Sequence, residues 1–194
     1  MTNQLAAWHT DHINFASLLD LLEREVSAFY QEEQPNYGLM DLIIEYMRKY
    51  GDCVHHPRED VAYALLVERD PGMRIVISRL LQEHRVIAAV GEDLLNRLHE
   101  AERDVITSRT ALEAAAAMYL AYYRNHLSTE EKQVMPRAAH LLTEEDWAAV
   151  AATEPASVDP LFGENVHQRF AALRKLIDGE ASMYIPSPDH RELA

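Results

Sequence analysis

Two histidine–glutamate pairs with the same spacing, His55/Glu59 and His126/Glu130, carry most of the chemistry that this sequence offers. Residues four apart lie one turn apart on one face of a helix, so each pair presents an imidazole beside a carboxylate. These are ligand types that suit iron, zinc and manganese. Two such pairs on facing helices could hold two metal ions about 3.5–4 Å apart, with the carboxylates shared between them.

Two further histidines, His12 and His84, interrupt apolar rows on helices of their own. Burying imidazoles and carboxylates in an apolar interior would cost several kcal/mol per charged group, and a bound metal removes that objection. A lone histidine in such a row is usually structural, but these groups together, two of them at identical spacing, favour a metal centre. The predicted metal ligands are His12, His55, Glu59, His84, His126 and Glu130.

Four long segments with helical periodicity must position these residues. They run from about Leu5 to Tyr30, from Leu39 to Glu68, from Met73 to Leu98 and from Ser108 to beyond Gln133. The alternation typical of strands is nearly absent. Pro57 cannot donate a hydrogen bond to the carbonyl of Cys53, which predicts a kink near the histidines.

Four helices with short connections pack most simply as an antiparallel up-down bundle, so the predicted fold class is all-α. We assign the bundle to residues 1–150 and a short C-terminal helical extension to residues 151–194. A capping sequence at Thr143 predicts a short helix through Trp147. An amphipathic stretch from Leu161 to Ile177 predicts a helix in the extension.

Composition and charge exclude several classes of protein. The 194 residues carry a formal net charge of −14, which repels nucleic acid and anionic membranes, so neither is an expected partner. A single cysteine, Cys53, excludes an intramolecular disulfide and an iron–sulfur cluster held by this chain alone. We expect its thiol to be buried. The lack of a signal-peptide pattern predicts a cytoplasmic protein, and a homo-oligomer is possible.

Several neighbours of the predicted ligands also receive roles. His9 lies about 100° around the helix from Trp8 and is expected to stay outside the centre, and His56 is expected to point away from it. Tyr122, one turn before His126, could place its hydroxyl near a bound ligand. An apolar wall is expected to admit small neutral molecules to an open metal position. Its predicted residues are Phe15, Leu80, Ile87 and Tyr119.

These motifs resemble the hemerythrin-like HHE cation-binding domain over about residues 5–150. The residues that carry the resemblance are His12, His55-His56-Pro-Arg-Glu59-Asp60, Glu83-His84 and His126-Leu-Ser-Thr-Glu130-Glu131 with Pro136. The resemblance implies a four-helix bundle with an oxo- or hydroxo-bridged centre of two iron ions, held by the predicted ligands. Oxygen-carrying members have a second histidine one turn from the first on the third helix. Leu80 stands at that position here, so we expect the iron near His84 to lack one imidazole.

The resulting functional hypothesis is a non-haem di-iron protein that binds dioxygen or nitric oxide for sensing, storage or stress response. Two alternatives stay open. One is a di-iron enzyme, namely a peroxidase, an oxidase or a nitric oxide reductase, and the other is an iron donor for the repair of iron centres. Nothing in the sequence separates them.

Overall fold

The computed structural model describes residues 3–31, 34–102, 109–153 and 158–183, and these ranges are mainly helical and contain no strand. The prediction of an all-α protein is therefore confirmed. The chain divides into two compact units, Met1–Val158 and Asp159–Ala194, and each is described by itself. No helix within the described ranges has both the length and the apolar character needed to cross a membrane.

The first unit contains seven α-helices in its described residues. They are α1 (Asn3–Tyr30), α2 (Tyr37–Tyr46), α3 (His56–Arg69), α4 (Arg74–Glu102), α5 (Arg109–Thr129), α6 (Met135–Leu141) and α7 (Glu144–Ala151). A short 3₁₀ turn, Pro71–Met73, precedes α4. α7 starts with a capping box in which Thr143 and Asp146 bond to each other's backbone, as its sequence predicts.

Two π-helical stretches, Met47–His55 and Glu130–Val134, divide the predicted second and fourth helices. Each ends just before a proline, Pro57 or Pro136. The residue preceding each proline donates its backbone N–H five residues back, from His56 to Gly51 and from Met135 to Glu130. Proline cannot continue the regular ladder, so the irregularity expected at Pro57 takes the form of wider turns.

Helix packing follows the predicted apolar rows. α1 contacts α5, α5 contacts α4, α4 contacts α2 and α2 contacts α1, so these four helices enclose a common interior. Every residue of the row predicted for α1 is buried. α3 packs on α4 and on α7, with Tyr63 of α3 and Trp147 of α7 in one apolar cluster with Trp8 and Leu80.

Two predictions about single side chains are wrong, namely that Tyr122 faces the centre and that the thiol of Cys53 is buried. On α5, Tyr122 is 40% exposed whereas Tyr123 is fully buried, because the buried row continues from Tyr119 with a step of four residues rather than three. Cys53 is also exposed, on the outer side of the first π stretch. In both cases a shift of one residue around the helix reverses which side chain faces the interior.

The second unit contains a 3₁₀ turn, Gln168–Phe170, and helix α8, Ala171–Met183. The helix predicted from Leu161 therefore begins later. The backbone N–H groups of Leu161 and Phe162 both donate to the side chain of Asp159, a local turn that competes with helix formation. Leu161, Phe170 and Leu173 are buried. The predicted extension also includes residues 154–157 and 184–194, which lie outside the described ranges.

Candidate metal centre

All six predicted ligands are buried, at most 8% exposed, and they converge in the interior of the first unit. α1 supplies His12, α4 supplies His84 and α5 supplies His126. His55 is the last residue of the first π stretch, Glu59 lies in α3, and Glu130 is the first residue of the second π stretch. His9, by contrast, is exposed beside His12, as the sequence predicts.

The first group of donor atoms, which we call the cavity half, is formed by His12 and His55 with Glu59. Their ligand atoms all lie within 4.8 Å of one another. Oε1 of Glu59 is 2.8 Å from Nε2 of His55 and 3.3 Å from Nε2 of His12. This spacing leaves the imidazole nitrogens and the carboxylate facing one point.

The second group, which we call the packed half, contains three histidines with Glu59: His56, His84 and His126. Nε2 of His84 is 3.1 Å from Nε2 of His126 and 3.3 Å from Oε2 of Glu59. The ring of His56 stacks on that of His84, with their centroids 4.1 Å apart. The prediction that His56 points away is therefore wrong.

The inward position of His56 also changes the expected donor count. His56 lies three residues before Glu59, and residues three apart share a helix face just as residues four apart do. The three-residue spacing between His56 and Glu59 could therefore have identified His56 from the sequence. The imidazole missing at Leu80 is thus replaced from α3, so the packed half offers three imidazoles and the cavity half offers two.

Both buried carboxylates span the two halves. Glu59 contacts histidines of each, and Oε2 of Glu130 lies 3.5 Å from Nε2 of His12 and 3.3 Å from Nε2 of His126. The hydroxyl of Tyr63 donates a hydrogen bond to the other oxygen of Glu130. Two carboxylates in this position could each bind two metal ions at once.

Four polar atoms at the centre of this cluster are buried and, although oppositely charged groups lie close to them, make no well-aligned hydrogen bond with the described residues. They are Nε2 of His55, Nε2 of His56, Oε2 of Glu59 and Oε2 of Glu130. Because buried polar atoms are almost always partnered, unpartnered donors facing one point fit a cation. Five imidazoles and two carboxylates exceed what one tetrahedral zinc ion needs and suit a pair of ions such as iron.

Each of the five histidines also has a carboxylate at its other ring nitrogen, Nδ1. The pairs are His12–Glu131 (2.7 Å), His55–Asp11 (3.0 Å), His56–Asp52 (3.5 Å), His84–Asp60 (2.8 Å) and His126–Glu83 (3.3 Å). In the four hydrogen-bonded pairs the carboxylate retains the ring proton on Nδ1 and directs the lone pair of Nε2 into the centre, whereas Oδ1 of Asp52 makes no hydrogen bond to His56. The sequence reasoning did not identify these outer carboxylates.

Four of the outer carboxylates form a closed circuit around the helices. Each is adjacent in sequence to a predicted ligand of its own helix but binds a histidine of another. Asp11 links α1 to His55, Asp60 links α3 to α4, Glu83 links α4 to α5, and Glu131 links the second π stretch back to α1. The signal in the sequence was this adjacency to the ligands.

The outer carboxylates stabilise protons on three of the histidines. Burial opposes a charge on His12, but hydrogen bonds to Glu131 and Glu59 outweigh it and raise its pKa to about 9. Burial is likewise overcome at His55 by Glu59 and Asp11, and at His84 by Asp60 and Glu59, so that each pKa rises to about 10. A metal ion that binds these imidazoles must displace their protons.

His56 differs from those three histidines. Burial, followed by repulsion from His84, lowers the pKa of His56 well below its usual value. The ring of His56 is therefore neutral near pH 7, so a metal ion that binds it does not compete with a second ring proton. Glu59, surrounded by histidines, also keeps a lowered pKa despite its burial.

A cavity of about 40 Å³ reaches the cavity half between α1, α3 and α7. His55 and Glu59 line its inner end, and Trp8, Trp147 and Arg58 line its walls. The indole N–H of Trp8 donates a hydrogen bond to Nε2 of His12 at 2.8 Å. The cavity thus reaches two residues of the cavity half, His55 and Glu59.

The apolar wall predicted from the sequence does not line this cavity. Phe15, Leu80, Ile87 and Tyr119 are fully buried and contribute to the packed core instead. Tyr122, proposed to face a bound ligand, points outward. The route to the centre is therefore partly polar rather than apolar.

Comparison with known proteins gives one finding on the family. A search of curated proteins finds no match. The family model described as the hemerythrin HHE cation binding domain matches residues 3–138. That span contains all of the inner histidines and carboxylates as well as the outer carboxylates.

Proposed function

This chain belongs to the hemerythrin family of HHE cation-binding domains, and from that premise we propose that it is a cytoplasmic, non-haem di-iron protein that binds dioxygen or nitric oxide in sensing, storage or stress response. The observation that carries the proposal is two groups of imidazoles joined by the same two carboxylates, Glu59 and Glu130. The proposed scaffold is an antiparallel four-helix bundle within residues 1–150.

The proposed ligands divide between two iron ions. His12 and His55 would hold one ion, and His56, His84 and His126 the other, while Glu59 and Glu130 are shared. This set differs from the one predicted from the sequence only by the addition of His56. The bound iron pair would supply the open coordination position and the electrons that a diatomic ligand requires.

The protein's own residues have three tasks in this function. The outer carboxylates fix the orientation of the imidazoles, so that the donor atoms are in place before a metal arrives. The hydroxyl of Tyr63 holds Glu130 between the two halves. The cavity beside His55 admits a small molecule to the half with fewer donors and excludes larger ones by its size.

Metal stoichiometry tests the proposal directly. Protein reconstituted anaerobically with ferrous iron should contain about two iron ions per chain, measured by elemental analysis against protein concentration. The diferrous protein should then change its absorption spectrum on addition of dioxygen or nitric oxide. One zinc ion per chain with no uptake of iron would overturn the proposal.

A matched pair of variants tests the position of the centre. His12→Ala should lose metal from the cavity half, because Nε2 of His12 lies 3.3 Å from Glu59. His9→Ala, three residues away on the same helix and exposed, should keep full metal content. The opposite result would show that helix α1 is placed in the wrong register.

A second candidate function, a di-iron peroxidase, is favoured by the partly polar cavity at the half with two imidazoles. An enzyme would consume peroxide repeatedly when a reductant is supplied. A binding or sensing protein would respond once per centre. Measuring peroxide consumed per mole of iron in the presence of excess ascorbate separates the two.

A further inference from the structure

We propose that Trp8 and Trp147 form an electron relay, which passes single electrons from a small external reductant to the proposed iron centre while dioxygen is being reduced there. The inference rests on the proposed function, because it needs two iron ions in the centre. It goes beyond the binding of a ligand, since it assigns the chain a path for electrons. Trp8 lies in α1 and Trp147 lies in α7.

The two indoles form a continuous aromatic path to the proposed ligands. The ring of Trp147 lies edge-on to that of Trp8, with their centroids 6.3 Å apart. Trp8 in turn lies 6.1 Å from the ring of His12 and 6.2 Å from that of Tyr63. The ring of Tyr63 stacks on that of His84 at 5.7 Å. Trp8 therefore adjoins a ligand of the cavity half directly and the packed half through one further ring.

The outer end of this path lies near solvent. Trp147 and Trp8 both line the cavity beside His55, and so does Ala7, an exposed residue. Since one buried water needs about 10–15 Å³ by the same measure, a cavity of about 40 Å³ has room for dioxygen but not for a reductant such as ascorbate. An electron from such a reductant must therefore cross the wall of the cavity, and the two indoles form part of that wall.

A second group of aromatic rings leads away from the packed half, but its tyrosines lack what their oxidation requires. The ring of Tyr123 lies 6.4 Å from that of His126, and the ring of Tyr119 lies 5.5 Å from that of Tyr123. Both tyrosines are fully buried, and neither hydroxyl has a hydrogen-bond partner among the described residues. A phenol must release its proton when it loses an electron, so it needs an acceptor for that proton. An indole can carry the positive charge and keep its N–H, which favours the two tryptophans as the path.

The balance of electrons shows where the relay would act. Reduction of dioxygen to two waters breaks the O–O bond, forms four O–H bonds and consumes four electrons and four protons. Two ferrous ions supply only two of the electrons, and the other two would leave Trp8 one at a time. Each time, Trp147 returns an electron to Trp8 and takes one from ascorbate, which loses a proton and becomes the ascorbyl radical. Two ascorbate ions thus supply two electrons and two protons, and the solvent supplies the other two protons.

Without the relay the reaction would stop at two electrons. The iron pair alone can reduce dioxygen to hydrogen peroxide, which takes up two electrons and two protons and keeps the O–O bond. The relay therefore decides between the formation of water and the release of hydrogen peroxide. Because an indole yields an electron only to a strong oxidant, the relay should not reduce ferric iron at rest.

Electron paramagnetic resonance gives a readout that does not depend on turnover, and Trp8 and Trp147 are the two tryptophans of the sequence. The full chain is loaded anaerobically with ferrous iron, mixed with dioxygen in the absence of a reductant and frozen within milliseconds. A tryptophan radical should accumulate. Its spectrum should narrow in protein that contains ring-deuterated tryptophan, but not in protein that contains ring-deuterated tyrosine. Zinc-loaded protein, which supplies no electrons to dioxygen, should give no radical.

Variants of the two tryptophans identify the path. Trp8→Phe should lose the radical and, with ascorbate present, should release hydrogen peroxide where the wild type forms water. Trp147→Phe should keep a radical on Trp8 but lose its rapid removal by ascorbate. Tyr37→Phe, which changes a ring packed on Phe29 outside the path, is the control and should behave as the wild type does. Circular dichroism and iron content are measured for each variant, and if Trp8→Phe does not fold or loses iron, the deuterium experiment on the unsubstituted chain decides.

The outcomes separate the relay from the di-iron function. A chain that holds two iron ions but forms no radical, or forms one that narrows only with deuterated tyrosine, would overturn the relay and leave the di-iron proposal standing. Equal release of hydrogen peroxide by the wild type and by an iron-loaded Trp8→Phe would also overturn the relay alone. A chain that takes up no iron would overturn both proposals.

Discussion

The two halves of the proposed centre use the same donor types in different surroundings. In the packed half, the ring of His84 lies parallel to the rings of His56 and Tyr63, with centroids 4.1 and 5.7 Å away. In the cavity half, two imidazoles stand beside a space that a small ligand can enter. Donor chemistry alone therefore does not decide where a ligand binds. The number of donors and the packing around them favour exchange at the cavity half.

Removing Glu59 should have the largest effect, because this residue contacts histidines of both halves. Glu59→Gln keeps the side-chain volume but loses the charge, and we expect almost complete loss of bound iron from both halves. Elemental analysis after reconstitution measures it. Loss of only one ion per chain would show that the two halves bind metal independently and that Glu59 is not shared between them.

Removing His56 should affect the packed half alone. His56→Ala leaves that half with two imidazoles, and its metal affinity should fall by more than the roughly 10–100-fold typical for an outer partner. Competition with a chelator of known affinity measures the change. His140→Ala, an exposed histidine of α6, is the matched control. A normal affinity in His56→Ala would mean that His56 only packs against His84.

The outer carboxylates should have a smaller effect, which can be assigned to one half at a time. Asp60→Asn removes the charge 2.8 Å from Nδ1 of His84 and should weaken the packed-half ion by about 10–100-fold. Asp11→Asn should do the same in the cavity half. Asp93→Asn, which removes a surface carboxylate from α4, should leave both affinities unchanged. Equal effects at both ions from a single variant would contradict the assignment.

Acid should have the smallest effect, and it should act on the wall of the cavity through Asp146. The Arg69 guanidinium and the cap at Thr143 hold the pKa of Asp146 at about 2, below its ordinary value of 3.8. Because the folded-state pKa is lowered, the stabilisation is complete above pH 4–5 and is lost as the pH falls toward 2. Asp146→Asn should lower the melting temperature of the metal-free protein by about 2–4 °C at pH 6.

The size of that deficit at lower pH checks the sign. The difference between the wild type and Asp146→Asn should shrink as the pH falls from 4 to 3, because Asp146 takes up a proton in the unfolded state, where its pKa is near 3.8, while the folded state stays ionised down to about pH 2. Thermal unfolding followed by circular dichroism at each pH gives the comparison. A difference in melting temperature that grows toward low pH would contradict the assignment to the ion pair with Arg69. The effect concerns the cavity wall because Asp146 precedes the cavity residue Trp147 in the sequence.

Much of the fold and of the inner cluster follows from periodicity. In α1 the apolar row and its one polar member predicted both the buried face and the position of His12. The fixed geometry of an α-helix allows the buried face to be predicted from such a row. The same periodicity did not predict that His56 and Tyr123 face the interior, because each lies next to a residue, His55 or Tyr122, that had already been assigned to the interior. Whether each side chain faces the interior depends on the rotation of its helix, which the packing of neighbouring helices sets.

The outer carboxylates and the cavity could not be derived in this way. Asp60 and Glu131 follow the inner ligands directly in the sequence, where a charged residue also fits an ordinary solvent-facing position. Their partners lie on other helices, at sequence separations of 24 and 119 residues. The cavity depends on how Trp147 of α7 packs near Trp8 of α1. Such relations arise only in the folded chain.

The first π stretch, Met47–His55, has a consequence for how the family's chains can change in length. A π turn accommodates an extra residue in a helix without disturbing the segments on either side. Deleting one residue between Met47 and Val54 would rotate α2 against α3 by about 100°. The shortened chain would have to give up either the buried apolar face of α2 or the inward aim of His55 and His56. The length of this stretch is therefore constrained by the proposed metal centre, whereas the identity of an exposed residue such as Cys53 is free to vary.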